Sequence, residues 1–452
     1  MNGPHVGWRA KTAAVAWPRS SPAPAGSPRA TSMHTRREEV MRRGGDRPDD
    51  VRCRLAGAIE ARREELVALT RELVAIPTEN PPGRASAAGA ALLADRLRAL
   101  GIAHRVVEAP GAGDAPRSCL LGSHGAGGRA LYFHGHYDVV PAASPAQFRP
   151  ERREGRLFGR GTADMKGGLA AMIYAVLALR EAGCDLRGRV GLTIVPDEET
   201  GGALGARYLA AAGLLGTDGV GMLTPEPTSG VIWNASRGAL SLRVTVRGRA
   251  AHVGQHYLGV NAFEGMLVVA ERLRTLGAEV AGRETAFAVD PAGGAAARRS
   301  ILLLGGRCEG GDNFNVVPAT CSFTVDRRIN PEEDLAVEKA RLLDLFARLR
   351  EEGIDLEVEI LQEGAAAGVS VDDPVARALA ASVVEVTGRA PAFTMCPGLL
   401  EIRFYAARGV PAYAYGPGLL EVAHGPDEFV GEDELASCAL VYALTAARLL
   451  AA

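Results

Sequence analysis

Lysine, cysteine and aromatic residues are all scarce in this chain: three lysines, seven cysteines and 5% aromatics in 452 residues. No cysteine lies in a Cys-x-x-Cys pair, which excludes a zinc ribbon and a thioredoxin-like redox site. Their odd number and wide scatter suit the reducing cytoplasm and speak against a disulfide scaffold. There is no Gly-x-Ser-x-Gly elbow, so the usual serine hydrolase arrangement is missing. No apolar run approaches the ~18 residues of a membrane span, and no membrane partner is expected. Neither charge sign prevails, because 51 basic residues face 53 acidic ones for a net charge of −2. That balance argues against a nucleic-acid face, which needs clustered basic residues.

What is present is apolar substance, 47% of the chain, enough for two or three domains at ~100–200 residues each. Residues 1–50 are proline-rich and net positive, without apolar periodicity, and read as a disordered tail. From there regular patterns begin, with helices expected over 59–76, 87–100 and 168–182. Short β-rich runs at 131–133, 190–195, 220–223 and 412–415 alternate with helices. The pattern predicts an α/β fold: an open, mostly parallel sheet with helices on both faces. Residues 237–363 break it. Strand 239–246, helix 261–276, strands 300–307 and 319–327, helix 332–352 and strand 355–361 spell βαββαβ, an inserted ferredoxin-like α+β domain. The catalytic domain then comprises 51–236 and 364–452.

Ionisable residues gather where the α/β strands end, where open sheets bind ligands. His134, His136 and Asp138 alternate onto one strand face in Phe133-His134-Gly135-His136-Tyr137-Asp138. Asp164 lies in the glycine-rich stretch Gly159-Arg160-Gly161-Thr162-Ala163-Asp164-Met165-Lys166-Gly167-Gly168. Glu198 and Glu199 follow strand 190–195, Glu226 follows strand 220–223, and His424 follows strand 412–415. Two imidazoles with several carboxylates suit a pair of divalent ions, zinc above cobalt, with Asp164 as the shared ligand. Such a pair makes a hydrolase of the site, with a spare carboxylate as general base, and neighbouring Glu198 and Glu199 fit that division.

These motifs, in this order, resemble the dinuclear zinc amidohydrolases and exopeptidases that include acetylornithine deacetylase, succinyl-diaminopimelate desuccinylase, bacterial glutamate carboxypeptidase and aminoacylase. The resemblance implies metal ligation by His136, Asp164, Glu199, Glu226 and His424. It also implies that Asp138 supports His136, that Glu198 is the base, and that the Asp164–Met165 peptide is cis. The inserted domain resembles that family's lid and dimerisation domain, which implies a homodimer. Gly248-Arg249-Ala250-Ala251-His252 matches the segment whose histidine steadies the oxyanion in a neighbouring subunit's site. Asn315 and Arg328 match the residues that hold substrate carbonyl and carboxylate.

One segment departs from the family. Where many relatives carry Gly-Gly-Thr-Asp, this chain reads Pro397-Gly398-Leu399-Leu400-Glu401-Ile402-Arg403, so a hydroxyl contact is lost; Glu401 and Arg403 either line the pocket or pair with each other. The implied activity is hydrolysis of the amide bond of an N-acyl amino acid. The alternatives are a dipeptidase or carboxypeptidase of the same family, or a non-catalytic metal- or ligand-binding protein.

Overall fold

The computed structural model describes residues 48–110, 117–216 and 218–451. The tail expected over 1–50 lies outside them except for its last three residues, which already open helix Pro48–Ala61. The helix expected over 59–76 is two, Pro48–Ala61 and Arg63–Val74. They part at Arg62, whose φ of −110° and ψ of 8° leave the helical region while its guanidinium bonds Glu65 and Glu181.

The larger sheet is mixed. Its strands lie in the order Ala103–Ala109, Arg117–Gly125, Arg189–Val195, Ala130–His136, Gly219–Thr224, Ala412–Ala414, Ile232–Ser236 and Ala367–Gly368; Phe393–Cys396 also pairs with Ile232–Ser236. The expected parallel pairing holds at the centre, where Ala130–His136 runs between Arg189–Val195 and Gly219–Thr224, and Ala412–Ala414 joins the latter. Toward both edges antiparallel pairs appear, although Phe393–Cys396 runs parallel to Ile232–Ser236. Parallel neighbours need long crossovers, which the intervening helices supply; of the antiparallel pairs, Ala103–Ala109 and Arg117–Gly125 follow each other directly, and the rest join distant parts of the chain. All seven residues of Ala130–His136 are buried, as a strand covered on both faces requires.

Helix Gly167–Glu181 is apolar all round because it is buried all round, packed against Glu432–Leu450 and the sheet. With the turn before it, Thr162–Glu181 is long and apolar enough to cross a membrane by composition, yet 94% of its most apolar window is buried inside the protein. Gly168 sits at the start of this helix because a Cβ there would collide with the Pro225 carbonyl oxygen. That close approach sets the Asp164 loop against the Pro225-Glu226 segment.

The second sheet has four antiparallel strands in the order Ile301–Gly310, Thr320–Ile329, Gly238–Arg247 and Leu356–Gly364. Together with helices Ala262–Val280 and Leu335–Glu351 this is the expected βαββαβ arrangement. It has its own apolar core, from Leu240, Leu242 and Val244 to Phe323 and Phe346. Asn261 and Asp334 cap the two helices by accepting backbone N–H groups. Arg327 is fully buried here, with Nε and Nη2 on Glu338 Oε2 at 3.1 and 2.9 Å and a further bond to Glu333.

Candidate metal centre

His136 is the last residue of its strand, and the chain turns at once to bring Asp138 beside the ring. Nδ1 of His136 lies 3.0 Å from the Asp138 carbonyl oxygen and 3.2 Å from Asp138 Oδ1. With Nδ1 donating, Nε2 presents its lone pair to the other strand ends, as a second-sphere carboxylate arranges for a metal-binding imidazole. Asp138 also accepts the backbone N–H groups of Glu198 and Glu199, both at 3.2 Å, and an Asn80 Nδ2–H at 2.9 Å.

Asp164 stands between two histidines. Its Oδ1 is 3.4 Å from His136 Nε2 and its Oδ2 is 3.2 Å from His424 Nε2. Glu226 Oε2 lies 4.0 Å from His136 Nε2, and Glu199 Oε2 lies 3.3 Å from His424 Nε2. Two groups result, His136–Asp164–Glu226 and Asp164–Glu199–His424; within each, one donor atom per residue falls inside 4.8 Å of the others. Asp164 belongs to both. The Asp164–Met165 peptide is cis.

These donors suit divalent ions. Nε2 of His136 is buried and makes no hydrogen bond among the described residues, although carboxylate oxygens surround it. Burial, reinforced by neighbouring carboxylates, pushes Glu198 and Glu226 well above the ordinary carboxylate range and raises Glu199 as well. Burial opposes charge on His136 too, but the carboxylates of Asp138 and Asp164 beside the ring prevail and, with no metal bound, raise it well above the ordinary imidazole value. Hydrogen bonds to Asp164 and Glu199 lift His424 to about 10. In the absence of metal, protons supply the positive charge that this set of carboxylates demands. A divalent cation meets the same demand with oxygen and nitrogen ligands of the right kind.

The other residues singled out from the sequence lie elsewhere. His134, expected on the same face as His136 and Asp138, turns to Glu401, with Nε2 2.5 Å from Oε2, and its ring packs edge-on to Tyr405. Glu401 therefore pairs with His134, and no bond joins it to Arg403 among the described residues. Arg403 donates to the Gly201 carbonyl at 3.0 Å, while its Nε and Nη1 are buried without a partner, as is Glu401 Oε1. In the smaller sheet unit, His252 is exposed and its Nδ1 accepts the Gly254 N–H; Val316, next to Asn315, forms a β-bridge with His252. Arg328 is ion-paired with Asp326 at 2.8 Å. Among the described residues none of these three bonds to either group around Asp164. Sequence reasoning passed over Asn80, which also donates to Thr200 Oγ1 and so ties Asp138 to the Glu198–Thr200 turn. Its Asn-Pro-Pro setting marks a turn but names no partner.

Comparison with known proteins identifies the family and the fold. Residues 132–448 match the family model described as Peptidase family M20/M25/M40. The chain is 30% identical to a succinyl-diaminopimelate desuccinylase of Gluconacetobacter diazotrophicus over 410 residues, covering 88% of this chain and all of that one. It is 28% identical over 349 residues to a probable succinyl-diaminopimelate desuccinylase of Staphylococcus epidermidis, covering 72% and 85%. Among solved structures, a di-peptidase from Saccharomyces cerevisiae aligns with a TM-score of 0.72 at 17% identity, over 88% of this chain and 98% of that one. An M20 family metallo-carboxypeptidase from Sulfolobus solfataricus gives 0.71 at 17%, over 85% and 100%. At such identities the structural likeness establishes the fold alone.

Proposed function

This chain belongs to peptidase family M20/M25/M40, and from that premise we propose that it is a metal-dependent deacylase, cleaving the amide bond of an N-acyl amino acid of the succinyl-diaminopimelate kind. The observation that carries the reading is Asp164, whose two oxygens face His136 on one side and His424 on the other. We assign His136, Asp164 and Glu226 to one divalent ion and Asp164, Glu199 and His424 to a second, zinc before cobalt. Ions held there would acidify a water and polarise the scissile carbonyl.

The chain's own residues do the rest. Glu198 sits on the turn that Asp138 anchors, and its carboxyl feels the charges of His136, Glu226 and Glu199 from the two groups. Its carboxyl has the raised proton affinity of a base that can take a proton from the attacking water and return it to the departing amine. Asp138 holds the His136 ring in the tautomer that leaves Nε2 free. Arg403 and Glu401 are assigned to substrate. Buried N–H groups and a buried carboxylate oxygen without partners are costly, and a polar substrate end would satisfy them. A guanidinium suits a carboxylate there.

His252, Asn315 and Arg328 are assigned to substrate and oxyanion through a second copy of the chain. Strand Ile301–Gly310 is an edge, and Leu303, Phe263 and Leu267 are more than half exposed beside it, which supports a homodimer through this face. The scarce, scattered cysteines, none in a Cys-x-x-Cys pair, support a reducing, cytoplasmic setting.

The test is a substrate panel on zinc-loaded protein: succinyl-diaminopimelate, acetylornithine, other N-acyl amino acids and dipeptides. Turnover of acyl amino acids above dipeptides, lost in Asp164→Ala together with bound zinc, is the expected result. Turnover of dipeptides alone would replace the deacylase with a dipeptidase, and zinc binding without turnover of any of them would indicate a binding protein.

A further inference from the structure

Four residues beyond His424 lies Glu428, 1% exposed. Its Oε1 accepts three backbone N–H groups from a single loop: Gly161 at 2.9 Å, Ala163 at 3.0 Å and Asp164 at 3.1 Å. Its Oε2 takes the Nη1–H of Arg160 at 2.5 Å, and Arg160 is equally buried. The same guanidinium donates through Nη2 to the carbonyl oxygen of His424 at 2.9 Å. One carboxylate and one guanidinium thus grip the backbone of Asp164 and the backbone of His424, which are far apart along the chain.

His424 needs such a grip. Its φ is +64°, in the left-handed region that a non-glycine residue occupies only when its surroundings hold it there. Its side chain is 48% exposed, so little packing fixes it from outside. The bond from Arg160 falls on the carbonyl of this strained residue. A charge pair needed only to pin the Gly161–Asp164 loop would have no use for it. Arg160 can serve both contacts because a guanidinium presents several N–H groups in a rigid fork.

We propose that Arg160 and Glu428 form a positioning clamp: they set Asp164 and His424 at the separation a divalent cation requires, and so govern cation affinity at the Asp164–Glu199–His424 group. The inference rests on the ligand assignment made under Proposed function. The clamp residues touch neither the cation nor the substrate. Their influence is exerted through the backbone of two ligands, and supporting residues of this sort are typically worth ~10–100-fold in metal affinity.

Three variants separate the clamp from a plain fold element. Glu428→Gln keeps an oxygen for the loop N–H groups but loses the charge facing Arg160. Arg160→Lys keeps a charge for Glu428 but not the fork that reaches His424. Should either fail to fold, Arg160→Met/Glu428→Gln leaves no unpaired buried charge. Zinc affinity is read by competition with a chromophoric chelator, the thermal midpoint on metal-free protein, and kcat and KM at saturating zinc. The expected result is zinc binding weakened about 10–100-fold in both single variants, with the metal-free midpoint of Arg160→Lys unchanged. At saturating zinc kcat should recover and KM should stay put. Zinc affinity within about twofold of the parent in Arg160→Lys overturns the clamp, whatever happens to the midpoint. Asp164→Ala is the control: if it loses zinc while the clamp variants keep it, only the clamp falls. If Asp164→Ala keeps zinc as well, the ligand assignment and the clamp fall together.

Discussion

The backbone N–H of Glu198 donates to Asp138 Oδ1 at 3.2 Å, so the carboxylate beside the His136 ring also fixes the turn that carries Glu198. Asp138→Asn would turn an NH2 group onto one of two donor pairs, either Glu198 N–H with the imidazole or Glu199 N–H with Asn80, that now find oxygen. We expect zinc affinity and kcat each to fall about 10–100-fold, with metal content measured by mass spectrometry and turnover on the best acyl amino acid.

Glu198→Ala separates chemistry from binding. Glu198 lies in neither ligand group, so the variant should retain the parent's zinc content. Loss of a general base typically costs ~10²–10⁴ in rate. A variant that kept both zinc and near-normal kcat would give the proton transfer to another residue.

Metal loading should release protons. In the metal-free protein hydrogen bonds to Asp164 and Glu199 raise His424 to about 10, and His136 is also raised. Both rings are therefore charged at neutral pH, and a cation must displace their protons. Zinc affinity should rise between pH 6 and 8, with at least one proton released per ion. Calorimetry in two buffers of different ionisation enthalpy counts it. The same shift makes a stability prediction for the metal-free form. A raised folded-state pKa stabilises fully below the ordinary histidine value of ~6.5 and fades as pH climbs toward the folded one. Metal-free protein should lose stability from pH 7 to 10, and zinc-loaded protein should not lose it for this reason.

Arg327→Met tests the smaller sheet unit by itself. It removes a fully buried guanidinium and leaves Glu338 and Glu333 with Arg283 as their remaining cation, whose Nη1 donates to them at 2.7 and 2.8 Å. Losing one cation of a buried network that keeps another costs about 1–3 kcal/mol, which denaturant unfolding would show, while zinc content should hold because neither ligand group is touched.

Arg403→Met tests the substrate assignment. If its unpartnered N–H groups receive a substrate carboxylate, KM should rise at least ~10-fold for carboxylate-bearing acyl groups and change little for neutral ones. An equal effect on both would reduce Arg403 to a support for the Gly201 turn.

Strand-end chemistry was legible because it is local. A β-run followed by His-Gly-His-x-Asp, or by Asp-Glu-Glu, places its ionisable residues at a sheet margin whatever the rest of the chain does. Hence the residues expected to gather, from His136 to His424, do gather. The partners of His134 were not legible, because Glu401 reaches it from a short helix far along the chain and no spacing encodes that meeting. The antiparallel edges of the larger sheet are likewise decided by long-range pairing, and the β-runs there resemble those of the parallel centre. The start of helix Leu335–Glu351 was missed by a few residues because Asp334 serves as its cap, a detail of backbone angle and not of apolar period. The arrangement of the smaller unit could be read in full from the order of its elements.

The imidazole of His424 is 48% open to solvent, whereas that of His136 is 1% open. On the two-ion assignment proposed above, the cluster would have an outer and an inner berth. A chelator arriving from solution would strip the outer berth first, leaving a half-loaded protein, and refilling would proceed from the inside out.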